Sequence, residues 1–221
     1  MKRLTPTPPP LPDPRRPRIT PPALIPRNFY LRSPDVVARN LLGKLITRTL
    51  DGERLTGRIT EIEAYLGLAD PASHSFIGKT ARNAVLFGPP GFSYVYFIYG
   101  MHYCLNFSCE PEGEPGGVLI RALQPVTGLE TMARLRGLPT SAKPNLLCSG
   151  PGRLCQAMAI TLAENNIDVT RPRSPLRVLD DGFRPSTITT TPRIGISKAA
   201  DRPLRFLIGE IVKAKRPTSR S

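Results

Sequence analysis

The sequence is poor in the residues that build metal and redox sites. It contains no tryptophan, two histidines and four cysteines, and no two cysteines form a C-x-x-C pair. Structural zinc sites need four cysteine or histidine ligands, usually at short paired spacings. We therefore expect no metal, and we expect the cysteines to be reduced and packed as small apolar groups. They are Cys104, Cys109, Cys148 and Cys155.

Long apolar runs are also missing. No stretch reaches the roughly 18 residues needed to span a bilayer, and prolines interrupt the N-terminus where a signal peptide would have a continuous apolar core. The sequence therefore predicts a soluble, intracellular protein with no membrane segment.

Acidic residues are scarce relative to basic ones. The chain carries 31 Lys and Arg against 17 Asp and Glu, a net charge of +14. A field of this sign concentrates polyanions around a protein. Nucleic acid is the first partner that it predicts, and an anionic membrane surface is the second.

The length of 221 residues, with 40% hydrophobic content, suits one domain with a well-buried core. Residues 1–27 hold ten of the 26 prolines, six basic residues and one acidic residue, which favours a disordered, partly polyproline II arm. The remainder has 25 basic and 16 acidic residues, so a charge of +9 belongs to the folded part. We place the domain at residues 28–212 and a basic tail at 213–221.

Local signals predict helices between antiparallel strands. A helix is predicted from Ser33 to Gly43, because serine, proline and an early acid open it and glycine closes it. Alternating polar and apolar residues on either side of Asp51-Gly52 predict a first β-hairpin over residues 44–65. A second hairpin, over 92–108, would carry Tyr99 at its tip.

The C-terminal half is less regular. Residues 118–123 predict a strand, and Thr127 with Glu130 predicts a capping box that opens a helix. The run from Ser149 to Arg153 is either an ordinary helix start or a backbone cradle for phosphate, and the motif does not distinguish the two. Residues 164–192 suggest a long irregular connection before a last strand from Leu204. The fold class is α+β, one mixed domain around a mostly antiparallel sheet.

Strand alternation puts Glu61, Glu63 and Tyr65 on one face of the first hairpin. A solvated edge strand with two ordinary acids would produce the same pattern. The context favours chemistry, however, because His74 follows in a loop and the second hairpin supplies Tyr94, Tyr96 and Tyr99. Excision of a base needs such a set: aromatic faces hold a flipped purine, and a carboxylate activates water beside an oxocarbenium sugar.

Four runs resemble the alkyladenine (methylpurine) DNA glycosylase family in sequence, order and spacing. They are E-I-E-A-Y-L-G at 61–67, Y-V-Y-F-I-Y-G-M at 94–101, V-L-I-R-A-L at 118–123 and L-C-S-G-P-G-R-L-C-Q-A at 147–157. The resemblance spans roughly residues 28–209. It implies a curved antiparallel sheet and a protruding hairpin that inserts into the minor groove of DNA. It also implies hydrolysis of alkylated or deaminated purines from duplex DNA without metal, cofactor or strand cleavage, by a monomer that acts on chromosomal DNA.

The resemblance also assigns roles to individual residues. Glu63 corresponds to the water-activating glutamate and Tyr99 to the intercalating tyrosine. The base pocket falls on Tyr65, His74, Tyr96 and Asn106, and the last of these helps reject the amino group of guanine. Arg121 corresponds to an arginine that assists the lesion-strand phosphate, and Arg153 is our candidate for a second contact to the DNA backbone.

Two other classes share part of this pattern. A non-catalytic protein that binds damaged DNA would use the basic field and the aromatic wedge but would need no carboxylate in its pocket. A carbohydrate hydrolase would use the acids and rings but would have little use for a net charge of +14.

Overall fold

The computed structural model describes residues 21–209, which form one α+β domain. Within them the chain forms nine strands and three α-helices. The strands are β1 (Ala23–Leu24), β2 (Leu45–Leu50), β3 (Glu53–Tyr65), β4 (Ser93–Ile98), β5 (His102–Cys109), β6 (Gly116–Thr127), β7 (Leu176–Asp180), β8 (Ile188–Thr191) and β9 (Arg205–Ile208). The helices are α1 (Pro34–Leu41), α2 (Leu129–Leu135) and α3 (Pro151–Ala157).

The strands join in one sheet in the order β1-β7-β2-β3-β6-β5-β4, and every pairing is antiparallel. The 13-residue strand β3 is its centre, because it pairs with β2 and then β9 along one edge and with β6 along the other. The β3–β6 register shifts between Ile59 and Ile62, beside the two glutamates. Such bulges bend a strand and re-aim its side chains, and they are common next to active sites.

The core lies between the sheet and the helices. Alternate residues of β3, including Ile62 and Ala64, are fully buried in it, as the predicted alternation requires. Helix α1 packs on β3 and β6, and α3 packs on β5 and β6. All four cysteines are buried and free, as predicted.

Both predicted hairpins and the first helix are present. Asp51 and Gly52 connect β2 to β3 with φ of 48° and 83°, the left-handed conformation that a two-residue hairpin turn requires. Helix α1 begins at Pro34 with Ser33 in the N-cap position, although the serine hydroxyl donates to Asp35 rather than capping the backbone.

The predicted capping box of Thr127 and Glu130 is wrong. Thr127 is the last residue of β6 and its hydroxyl donates to the carbonyl of Arg54 at 3.0 Å, so α2 begins after Gly128 with no side-chain cap. Pairing with the neighbouring strand takes up the Thr127 hydroxyl, and the predicted helix forms without it.

The irregular connection predicted for 164–192 contains two strands, β7 and β8. Strand β7 lies inside the sheet, between β1 and β2, with Leu176 and Val178 fully buried. The strand has only five residues, prolines precede it and two aspartates end it, which is why the sequence suggests a loop there.

The domain begins earlier than predicted. Residues 23–24 form β1, Ile25 is buried in the core, and Arg27 forms an ion pair with Asp168 at 2.5 Å. The boundary at residue 27 is therefore wrong by several residues. Residues 1–20 of the predicted arm and all of the predicted tail lie outside the described residues. Within 21–209, no helix is long and apolar enough to cross a membrane.

The position of Ile25 gives a test of this boundary. Ile25 is 4% exposed and Ile77 is 79% exposed. We expect Ile25→Ala to lower the free energy of unfolding by about 2–5 kcal/mol, because it leaves a cavity in the core. Ile77→Ala, the matched control, should change it by no more than about 0.5 kcal/mol. Equal, small effects in urea denaturation would show that the segment around Ile25 is not part of the domain.

Candidate active site

A cavity of about 280 Å³ opens between the second hairpin, β6 and the loops after β3 and β8. This volume is near the lower end of the range for small-molecule sites, and it suits a single base rather than an oligomer. Six of the predicted site residues line the cavity: Tyr65, His74, Tyr96, Tyr99, Asn106 and Arg121.

Glu63 lies directly behind the wall of this cavity. Its side chain is fully buried, on the central strand β3. One carboxylate oxygen, Oε2, accepts a hydrogen bond from the Tyr65 hydroxyl at 2.9 Å. The other, Oε1, accepts the backbone N–H of Ile194 at 2.8 Å and lies 3.3 Å from Nη1 of Arg121. All three partners line the cavity, so the carboxylate and the cavity share a boundary.

Two opposing effects act on the Glu63 carboxyl. Burial raises its pKa, because a charged group loses hydration in the protein interior. The positive charge of Arg121 and the hydrogen bonds from Ile194 and Tyr65 lower it, and burial is the larger effect. The acid therefore titrates above the usual range of a glutamate.

Glu61 and Arg121 complete a charge-balanced cluster beside Glu63. Oε1 of Glu61 accepts from Nε of Arg121 at 2.8 Å and from Nε of Arg205 at 2.7 Å. Two carboxylates thus face two guanidinium groups, each with side-chain exposure of 18% or less. The structure places Arg121 against these two glutamates, on the cavity wall.

Aromatic rings form the opposite part of the wall. The His74 and Tyr96 ring centroids are 4.5 Å apart and those of Tyr94 and Tyr96 are 5.4 Å apart. Nδ1 of His74 lies 2.9 Å from the Tyr94 hydroxyl, a hydrogen bond that fixes the imidazole. Burial, and then the positive charge of Arg82, lower the pKa of His74, so the ring is neutral at pH 7.

Asn106 is buried beside these rings and pairs with Tyr94 across the hairpin. Its Nδ2 donates to the carbonyl of Tyr94 at 3.0 Å. This bond fixes the plane of the amide at the cavity wall.

Tyr99 stands at the tip of the β4–β5 hairpin, as predicted, and is 75% exposed. Its φ of 54° is in the left-handed region, which non-glycine residues seldom adopt, and Gly100 follows with φ of 67°. Met101, on the other side of the turn, is 69% exposed. The turn therefore presents two large apolar side chains to solvent at the mouth of the cavity.

Arg153 lies apart from the cavity. It is an exposed residue of α3, and its Nη1 donates to the Ser149 hydroxyl at 3.1 Å. The helix predicted after Ser149 is present, and two of its first residues, Pro151 and Gly152, line the cavity.

The sequence analysis missed the segment after β8 and the ion pair that holds it. Arg193 forms a bidentate ion pair with Asp70, and both side chains are fully buried. The guanidinium also lies 4.6 Å from the ring centroid of Tyr65. The next residue, Ile194, supplies the N–H that Glu63 accepts. No local pattern marks these residues, because their partners are more than 120 residues away in the chain.

Comparison with known proteins gives a consistent result. Residues 28–211 match the family model described as Methylpurine-DNA glycosylase (MPG). A protein of Koribacter versatilis is 54% identical over 187 residues, which cover 84% of this chain and 90% of that one. A protein of Burkholderia cenocepacia is 46% identical (85% and 89% covered), and one of Methanocella arvoryzae is 47% identical (83% and 91% covered). Each bears the name "Putative 3-methyladenine DNA glycosylase".

The environment of His74 predicts its titration. The chain has two histidines, so His102→Gln leaves a single imidazole to follow by NMR. We expect a midpoint below 6.5, because burial and Arg82 disfavour the cation. Arg82→Ala in the same background should move the midpoint upward, since it removes the repelling charge. An unperturbed midpoint that does not respond to Arg82→Ala would contradict the described packing.

Proposed function

The chain belongs to the methylpurine-DNA glycosylase family, and from that premise we propose that it hydrolyses the N-glycosidic bond of alkylated purines in duplex DNA. The substrates are purines of the 3-methyladenine and 7-methylguanine type. The observation that carries the proposal is the fully buried carboxylate of Glu63 against a base-sized cavity with aromatic walls. A protein that only bound damaged DNA would have no need to bury a carboxylate there.

The cavity holds the flipped base by stacking. Tyr65 on one side, and His74 with Tyr96 on the other, present ring faces to a purine that has left the duplex. Alkylation at N3 or N7 gives the purine a positive charge, which the electron-rich faces of these rings favour. A neutral His74 does not repel that charge. Asn106, fixed by its bond to Tyr94, disfavours guanine's amino group. The base of 7-methylguanine carries that group too, but its positive charge favours stacking on the rings and makes it a better leaving group than unmodified guanine.

Glu63 supplies the chemistry. An ionised carboxylate has about four lone-pair sites; the Tyr65 hydroxyl and the Ile194 N–H occupy two of them, and Arg121 lies 3.3 Å away as an ion-pair partner. A site that these donors leave open accepts a hydrogen bond from a water molecule and directs its oxygen toward C1′ of the sugar. The negative charge also stabilises the oxocarbenium character of the sugar as the bond to the base breaks. The water proton passes to the carboxylate, and the base leaves with the electron pair of the glycosidic bond.

The charge of the leaving base explains why one carboxylate suffices. A cationic alkylpurine leaves as a neutral molecule, so it needs no general acid. We extend the proposal to deaminated purines such as hypoxanthine, which are neutral and need a proton from solvent or from the site. Since the pKa of His74 is lowered, that histidine is a poor source of the proton at neutral pH, and these lesions should be released more slowly.

The hairpin and the basic surface bring DNA to the site. We propose that Tyr99 enters the minor groove and fills the gap left by the flipped nucleotide, with Arg153 on the phosphate backbone. The sequence resemblance assigns Arg121 to the lesion-strand phosphate. In the structure Arg121 pairs with Glu61 and Glu63, so it would contact that phosphate from the cavity wall.

None of the residues that line the cavity in the described chain is a lysine, so we expect hydrolysis without a Schiff base or strand cleavage. We expect the protein to act as a monomer.

Glu63→Gln tests the proposal. Glutamine keeps the volume and the acceptor for Ile194 but loses the charge and the basicity. Loss of general base assistance alone is worth about 10² to 10⁴ in rate, so single-turnover release of 7-methylguanine should fall at least about a hundredfold while lesion binding persists. Glu61→Gln is the matched control and should keep most of the rate. Release at the wild-type rate by Glu63→Gln would refute the assignment, and an equal loss in both variants would indicate a coupled pair of carboxylates.

Tyr99→Ser tests the role of the hairpin tip. The wedge stabilises the extruded nucleotide rather than the reaction, so the variant should lose far more activity on a fully paired lesion than on a lesion in an unpaired bulge. Both can be measured under single-turnover conditions. Losses of the same size on the two substrates would show that Tyr99 does not act as a wedge.

A further inference from the structure

Arg193, outside the cavity, adjoins both of the uncharged groups that donate hydrogen bonds to Glu63. The Tyr65 hydroxyl and the Ile194 N–H reach the two oxygens of the carboxylate at 2.9 Å and 2.8 Å. Tyr65 is at the end of β3, whereas Ile194 follows β8. The sheet relates these strands through β9, where Arg205 pairs with both Glu63 and Thr191, but this register ends three residues before Ile194. Arg193 contacts the Tyr65 ring and directly precedes Ile194.

Arg193 is itself held on several sides. Its two terminal nitrogens bind the two carboxylate oxygens of Asp70, and Nη1 also donates to the carbonyl of Ala64 at 3.0 Å. Asp70 in turn accepts the backbone N–H groups of Leu66 and Ala72 at 3.1 Å and 3.2 Å. These bonds tie the segment after β8 to the end of β3 and to the loop that leads to His74.

The guanidinium lies on the side of Tyr65 that faces away from the cavity. Tyr65 lines the cavity but Arg193 does not, and the Arg193 side chain is fully buried. One face of the ring therefore packs on the guanidinium, 4.6 Å from its centroid, and the other is free for a base. Arg193 therefore acts on the reaction through the residues that it holds, and of these Tyr65 and Ile194 bind Glu63 directly.

We propose that the Asp70–Arg193 pair is a positioning device for the catalytic carboxylate, in which Arg193 sets the Tyr65 ring and the Ile194 N–H against Glu63. This inference rests on the proposed function, because it assumes that Glu63 directs the water. Buried ion pairs often add little net stability. The inference gives this pair a specific role in orientation instead. Without the pair, Glu63 keeps Arg121 but loses the donors that fix the direction of its free lone pair.

The test compares Arg193→Lys with Arg48→Lys. Lysine keeps the positive charge but cannot bind both oxygens of Asp70 in plane and lie flat on Tyr65. Arg48 forms a comparable, largely buried ion pair with Glu164 at 2.7 Å, away from the cavity, and serves as the control for a general loss of stability. If Arg193→Lys does not fold, Asp70→Asn breaks the same pair and takes its place.

We expect Arg193→Lys to lower the single-turnover rate of 7-methylguanine release at least about tenfold. Its affinity for the lesion duplex, measured in a Glu63→Gln background so that the base is retained, should change less than about threefold. Arg48→Lys should lower the melting temperature without either effect. Wild-type rates in Arg193→Lys and in Asp70→Asn would overturn the proposal, as would a loss confined to binding.

The pH profile separates positioning from simple loosening. The hydrogen bonds from Ile194 and Tyr65 lower the pKa of Glu63, so their loss should move the acid limb of the rate profile to higher pH. The other charged or titratable groups around Glu63 are unchanged in this variant: Glu61, Tyr65, Cys104, Arg121 and Arg205. A limb that stays in place or moves to lower pH would contradict the proposal.

Different variants test the proposed function and the role of the Asp70–Arg193 pair. An active Glu63→Gln variant would refute the proposed function and with it this inference. An inactive Glu63→Gln variant together with a fully active Arg193→Lys variant would leave the proposed function standing and reduce the Asp70–Arg193 pair to a structural one.

Discussion

The proposed orientation of Glu63 depends on the buried ion pair between Asp70 and Arg193. That pair joins two loops that are 123 residues apart in the chain, and neither side chain is exposed. Removing one partner of such a pair typically costs about 3–5 kcal/mol, because the other charge is left buried and alone. The pair lies where the segment after β8 meets the end of β3. The ring of Tyr65 and the Ile194 N–H that binds Glu63 both lie at that junction.

A buried carboxylate is itself costly, and neighbouring groups offset part of that cost. Burial raises the pKa of Glu63, while Arg121 and two hydrogen bonds act in the opposite direction. Glu61 holds the other side of Arg121, so the cation cannot leave for solvent without breaking a second ion pair. The result is a desolvated carboxylate with Arg121 at its side, next to a cavity lined by the rings of Tyr65, His74 and Tyr96. That combination suits a substrate that carries a positive charge when it is bound and loses it when the bond breaks.

The parts of this arrangement that the sequence predicts are those encoded locally. The turn at Asp51-Gly52, the alternation along β3 and the tip residue Tyr99 each depend on a few neighbouring residues, and each is present as expected. The Thr127 capping box failed because a strand pairing took up the hydroxyl. Arg193 could not be found, since one arginine among 31 basic residues carries no mark of being buried. The roles of the site residues came from the resemblance to a family and remain predictions until the variants are measured.

In the proposed mechanism excision requires the negative charge of Glu63, and the ionisation of that group can be measured directly. The carboxyl carbon of Glu63, assigned by comparison with Glu63→Gln in a ¹³C-glutamate-labelled protein, would be titrated by NMR and its midpoint compared with the pH dependence of the single-turnover rate. Because burial raises the pKa of Glu63, we predict that the rate falls as pH decreases through a midpoint above the ordinary glutamate value, and that the two midpoints coincide. A rate that stays constant across the pH range in which Glu63 becomes protonated would contradict the account.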